Sequence, residues 1–178
     1  MVCSAPLLLI ESAFSGKLVV KKSKVDRLTT MVLSIPHGSH MIVVTESDTK
    51  PLKFESEFQL NTKFEFVLGP EDGIERILKF FGKQDVIIGN SDFDKKYMVQ
   101  SNSPILIKKV LHPAQINQGI IKHKLSSISL QWQRKGELSK LLIVKDRNTS
   151  NKEVISGIID LMRSLIDSMV ENQIVKKK

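Results

Sequence analysis

From Val154 to Val170 the apolar residues recur at helical spacing, and there are too many of them for a helix that faces water. Val154, Ile155, Ile158, Ile159, Leu161, Met162, Leu165, Ile166, Met169 and Val170 make a wide stripe. Ser156, Asp160, Arg163, Asp167 and Glu171 leave only a narrow polar face. A helix of this kind must bury its stripe on a broad apolar surface, most simply a β-sheet. Self-association through the helix is the other solution. Ser150 and Glu153 stand at capping-box spacing. The lysines at 176–178 suit the negative helix end, and residues 174–178 are expected to form a frayed basic tail.

The rest of the chain supplies the sheet. Leu52, Phe54, Ser56, Phe58 and Leu60 alternate with Lys53, Glu55, Glu57 and Gln59, the pattern of a half-buried strand. Strands are also expected at 17–22, 29–35, 40–45, 63–68, 126–133 and 138–144. Pro36-His37-Gly38-Ser39 and Arg134-Lys135-Gly136-Glu137 read as hairpin turns. Helices are expected at 7–14, at 73–81 with Gly82 as its stop, and at 104–111 and 113–122, broken at His112-Pro113. The fold class that follows is α+β: a predominantly antiparallel sheet of about eight strands, packed against the long C-terminal amphipathic helix and shorter helices. Residues 1–178 read as one domain.

Between the two halves lies Val86 to Asn102. Val86-Ile87-Ile88 reads as a short buried strand, and Gly89-Asn90 as a sharp turn. Phe93, Tyr97 and Val99 then fall on one face at period two, with Lys95 a misfit among them. Ser103 and Pro104 offer an N-cap and a first helical residue.

Composition limits the partners. The 178 residues carry 27 lysines and arginines against 19 acidic residues, a formal charge of +8. Such a balance favours nucleic acid, acidic lipid or acidic protein. The lysines are spread along the chain, however, which is the pattern of a solvated basic surface. Aromatic residues are 6% of the chain, with one Trp and one Tyr, so platforms for base stacking are scarce. The candidate anion contacts are Lys21, Lys22, Lys24, Lys95 and Lys96, and the test of them is whether they converge on one face. Cys3 is the only cysteine, which fits a reducing compartment. The apolar run Leu7 to Ile10 is too short for a signal peptide core, and no window reaches the roughly 20 apolar residues of a membrane helix. The expectation is a soluble, cytoplasmic domain, with membrane association through a partner as the alternative.

Motifs for chemistry are lacking. His37 and His40 share one turn, but a metal site needs three or four ligands. Asn90, Asp92 and Asp94 have the opening spacing of a calcium loop, which then fails at Lys95 and Ser101. Neither phosphate-binding glycine motif occurs, nor a nucleophile elbow. The expectation is therefore no catalytic residue, no metal and no cofactor. A non-enzymatic binding or interaction module leads, with a protein partner or self-association. An anion-binding module for nucleic acid or acidic lipid is the alternative, and an enzyme with a dispersed site is third.

The run from Leu78 to Asn102 resembles a family of uncharacterised bacterial proteins. Their pattern is a helix ending in Gly, a Gln-Asp that leads a short apolar strand into Gly, then Phe-Asp, an aromatic and Val. Gly82, Gln84, Asp85, Gly89, Phe93, Asp94, Tyr97 and Val99 match it. Some relatives carry membrane helices outside this domain. The resemblance implies bacterial origin and an α+β fold, and it carries no catalytic residue.

Overall fold

The computed structural model describes residues 5–22, 29–70, 84–133, 138–146 and 151–176. A helix α1 (Ala5–Glu11) leads into strands β1 (Lys17–Lys22), β2 (Thr29–His37), β3 (His40–Ser47), β4 (Leu52–Phe58) and β5 (Phe66–Gly69). Then come β6 (Gln84–Asp85), a helical turn α2 (Ser91–Asp94), β7 (Met98–Ser101), α3 (Pro104–Val110) and α4 (Ala114–His123). A hairpin of β8 (Ser127–Gln131) and β9 (Ser139–Lys145) precedes the closing helix α5 (Lys152–Glu171).

The nine strands form one sheet in the order β1-β2-β3-β4-β9-β8-β5-β7-β6, and every strand pair is antiparallel. The alternation read at residues 52–60 becomes the burial of Leu52, Phe54, Ser56 and Phe58 on one face of β4. Register carries that face across the sheet. Leu33, Val44, Phe54, Ile143, Ile128, Leu68 and Val99 stand opposite one another in one continuous row through seven strands. All seven are buried. Apolar side chains directly opposite one another are the unit of sheet stabilisation, so this row fixes the register of the whole sheet.

The helices cover that face. The inward side of α5 is buried from Ile155 to Met169, and its flanks touch α1, α3 and α4. The wide stripe is thus spent inside the molecule and not on a second copy. Asn151 caps α5, accepting from Val154 N at 2.9 Å, one residue later than the Ser150 cap expected from spacing. Ser168 Oγ donates to Val110 O at 3.0 Å, and His37 at the β2–β3 turn meets Asp167 at 2.7 Å. Gly16 follows α1 where a side chain would not fit, since a Cβ there would stand 2.7 Å from Leu33 Cδ1 and 3.2 Å from Ser34 O.

Three local expectations change. The strand read at Val86–Ile88 shrinks to Gln84–Asp85 plus one further bond, Val86 N to Val99 O. Phe93 sits in a helical turn, not in a strand with Tyr97 and Val99. Asn90 caps that turn by accepting from Asp92 N and Phe93 N, and this outcompetes extended pairing. The tail expected to fray from 174 is held through 176. Ile174 and Val175 are buried, Asn61 N donates to Ile174 O, and Lys176 N donates to Gln59 O. The helix expected at 73–81, its Gly82 stop, the turn at 134–137, Lys24 and Ser150 lie outside the described residues.

One buried face holds a pH-sensitive contact. The His123 ring at the end of α4 lies over Gly157 of α5, so close that a Cβ there would meet Cε1. Burial first, then Lys122 and Lys145, lowers its pKa below the ordinary 6.5. The unfolded chain therefore takes up a proton at His123 before the folded chain does. Stability is expected to fall as pH drops from about 6.5 through the depressed folded value. His123→Gln should flatten that part of the profile in urea unfolding measured at a series of pH values. An unchanged slope would remove His123 as its source.

Candidate functional site

The helix layer covers one face of the sheet, and the other is partly open. There Val32, Val43, Leu142 and Val144 are half-buried, and a concavity lies at the β2–β3 end. It is a groove of about 510 Å³, lined by Pro36, Met41, Val43, Leu138, Glu55 and Lys140 among others. The β2–β3 hairpin builds one wall, because its tight turn through Gly38, at φ +57°, sets Pro36 opposite Met41. Val43 faces Glu55 of β4, and Glu57 faces Lys140 of β9. Met41 and Leu138 are each nearly half exposed, so the groove has an apolar lining open to solvent.

Its polar side is a three-charge cluster. Lys140 Nζ stands 3.3 Å from Glu55 Oε1 and 3.3 Å from Glu57 Oε1. Partial burial lowers the pKa of this ammonium, but Glu55 and then Glu57 outweigh it and leave the pKa above the ordinary lysine value. The cluster is one charge negative overall. It offers acceptors, with one donor held between them.

Two smaller hollows flank the sheet. One, of about 220 Å³, is lined by Asp85, Val86, Asp94, Lys95, Lys96 and Tyr97 among others. Asp94 is committed there to the chain itself, accepting from Ile88 N at 2.9 Å and Gly89 N at 2.8 Å. Gly89, at φ +96°, makes that tight approach possible. Phe93 stacks on Tyr97 with centroids 5.4 Å apart, and the Tyr97 hydroxyl donates to Ile120 O. Val99 is buried beside them in the long row. The matching residues of the 78–102 run that are described thus build a loop. A third hollow, of about 370 Å³, lies between the ends of α3 and α5, beside Lys108, Lys109 and His112.

The four candidate lysines among the described residues do not converge on one face. Lys21 and Lys22 are on β1, one edge of the sheet, and Lys95 and Lys96 precede β7 near the other. Seven strand spacings separate β1 from β7, roughly 30 Å at about 4.8 Å each. The two turn histidines also part: His37 reaches Asp167, while His40 lies edge-on to Phe58 at 5.8 Å. Among the described residues no three His, Cys, Asp or Glu side chains gather as metal ligands. No helix among them is long and apolar enough to cross a membrane.

The groove was not foreseen. Its signal was present in runs such as Met41-Ile42-Val43-Val44 and Leu141-Leu142-Ile143-Val144, which are apolar at both parities. A strand with water on one side alternates, whereas these carry apolar residues toward both faces.

Fold and site together define an α+β protein with an all-antiparallel sheet, one face under helices and the other bearing a ligand-sized groove. No protein-family model and no curated protein matches the sequence. Among solved structures, the chain is similar to the mycobacterial trehalose monomycolate transport factor A, with a TM-score of 0.60 and 10% identity, over 97% of each chain. At that identity the likeness speaks for the fold.

Proposed function

We propose that this chain is a non-enzymatic binding domain of a bacterial protein, and that its groove receives an uncharged amphiphile. The observation that carries the reading is the groove itself. Its volume of about 510 Å³ lies in the range of small-molecule sites, and an apolar lining meets a few fixed polar groups. Pro36, Met41, Val43 and Leu138 suit an alkyl chain. The net negative Glu55–Lys140–Glu57 cluster disfavours a fatty acid carboxylate and suits a hydroxyl-rich head group that can both donate and accept. A fold neighbour named for the transport of trehalose monomycolate, an acylated sugar, supports the same ligand class.

Titration with dodecyl maltoside below its micelle concentration, followed by NMR, tests this. Saturable shifts are expected at Met41, Val43 and Leu138, and laurate should produce none. Val43→Gln should weaken binding about tenfold by placing a polar amide on the apolar lining, with unfolding little changed because Val43 is only half-buried and no like charge is set against Glu55. Equal affinity in the variant, or shifts centred elsewhere, would overturn the reading. Binding of a protein at the groove, with no amphiphile response, would return it to an interaction module.

A further inference from the structure

Among the described residues eight large apolar side chains are exposed, and four of them lie on α1 and the edge strand β1, which touch. Leu8 and Leu9 project from α1 while Leu7 and Ile10 are buried beneath it; on the edge strand β1, Val20 stands exposed on the face that α1 covers and Val19 on the opposite face, so the strand presents an apolar residue to either side of the edge. The two elements lie against each other, and Glu11 Oε1 accepts from Leu18 N at 2.9 Å. Lys17, Lys21 and Lys22 are exposed on the same strand, and no ion pair among the described residues engages them. Among the described residues 5–22, Lys17, Lys21 and Lys22 stand against a single acidic side chain, Glu11. The opposite edge differs. Ile87 is exposed there with Lys95 and Lys96, but residues 84–102 hold three acidic side chains against two basic.

We propose that the α1–β1 rim docks on an anionic membrane surface. The proposal is separate from the groove and does not depend on it. Exposed leucines and valines can enter the boundary between head groups and acyl chains while adjacent lysines meet lipid phosphates, the combination that holds peripheral proteins at membranes. β1 has a neighbour on one side only. Its three lysines argue against pairing with the same strand of a second copy, because like charges would face each other across the joint. An anionic lipid surface satisfies both the charge and the apolar area.

Sedimentation of the full chain with vesicles tests the rim. Binding is expected to phosphatidylcholine vesicles containing phosphatidylglycerol, to weaken steeply with added salt, and to be absent with phosphatidylcholine alone. Lys21→Gln with Lys22→Gln should weaken it roughly twenty-five-fold, at fivefold per lysine. Leu8→Ser with Leu9→Ser should weaken it at least tenfold. All four side chains are exposed, so both variants are expected to fold, and circular dichroism checks this. Failure to bind either vesicle, or full binding by either variant, overturns the proposal. Binding to duplex DNA that is lost in the lysine variant but kept in the leucine variant also overturns it, in favour of a nucleic-acid surface. Loss of vesicle binding with dodecyl maltoside binding intact separates this rim from the groove.

Discussion

Phe54→Ala is expected to destabilise the protein by about 3–5 kcal/mol, the range for emptying a fully buried aromatic position. Phe54 has no exposed surface and stands third in the seven-strand row, between Val44 and Ile143. Its neighbours are backbone-paired on both sides, so they cannot close over the cavity without breaking register. Urea unfolding should show a lower midpoint with an unchanged slope, since the same surface is exposed on unfolding. A loss under about 1 kcal/mol would mean that the row does not carry the sheet. Glu57→Ala, one face away and exposed, should change stability by less than about 0.5 kcal/mol.

The contrast between these neighbours explains how much of the fold could be read in advance. Strand β4 was legible because one of its faces meets the core and the other meets solvent, so burial wrote a period of two into the sequence. The closing helix was legible for the same reason at a period of 3.6. The order β4-β9-β8-β5-β7 was not, because pairing between distant strands leaves no local pattern. That order decides where charges go. Lys21 and Lys95 are equivalent as residues, and only the sheet places them at opposite edges. Lys145 was unreadable for a related reason. It occupies an apolar position of β9 and is buried, with Nζ 3.3 Å from Lys124 O, a carbonyl presented by a residue at φ +46°. The groove was hidden because a strand apolar on both faces does not say which face the helices leave open.

The segment from Val86 to Val99 shows a subtler ambiguity, and it carries the second large prediction. Phe93 and Tyr97 are four apart, a spacing that a helical turn brings together and a strand also puts on one side. Asn90 decides for the turn, because its side chain satisfies two backbone donors that an extended chain would have paired across the sheet. Phe93 then enters the core with no exposed surface and stacks on Tyr97 at an interplanar angle of 20°. Phe93→Ala is expected to cost about 3 kcal/mol or more. It should also loosen residues 88–97 ahead of the rest, since Asp94 holds Ile88 and Gly89 only while this turn is anchored. Ile88 and Gly89 are therefore expected to exchange through a local opening well below the global free energy, while the β2, β3 and β4 amides lose only the protection that the drop of about 3 kcal/mol in global stability removes. Uniform acceleration across the chain would show that Phe93 stabilises the whole core and not the loop. Unchanged exchange at Ile88 and Gly89 would show that the Asp94 hydrogen bonds hold the loop without it.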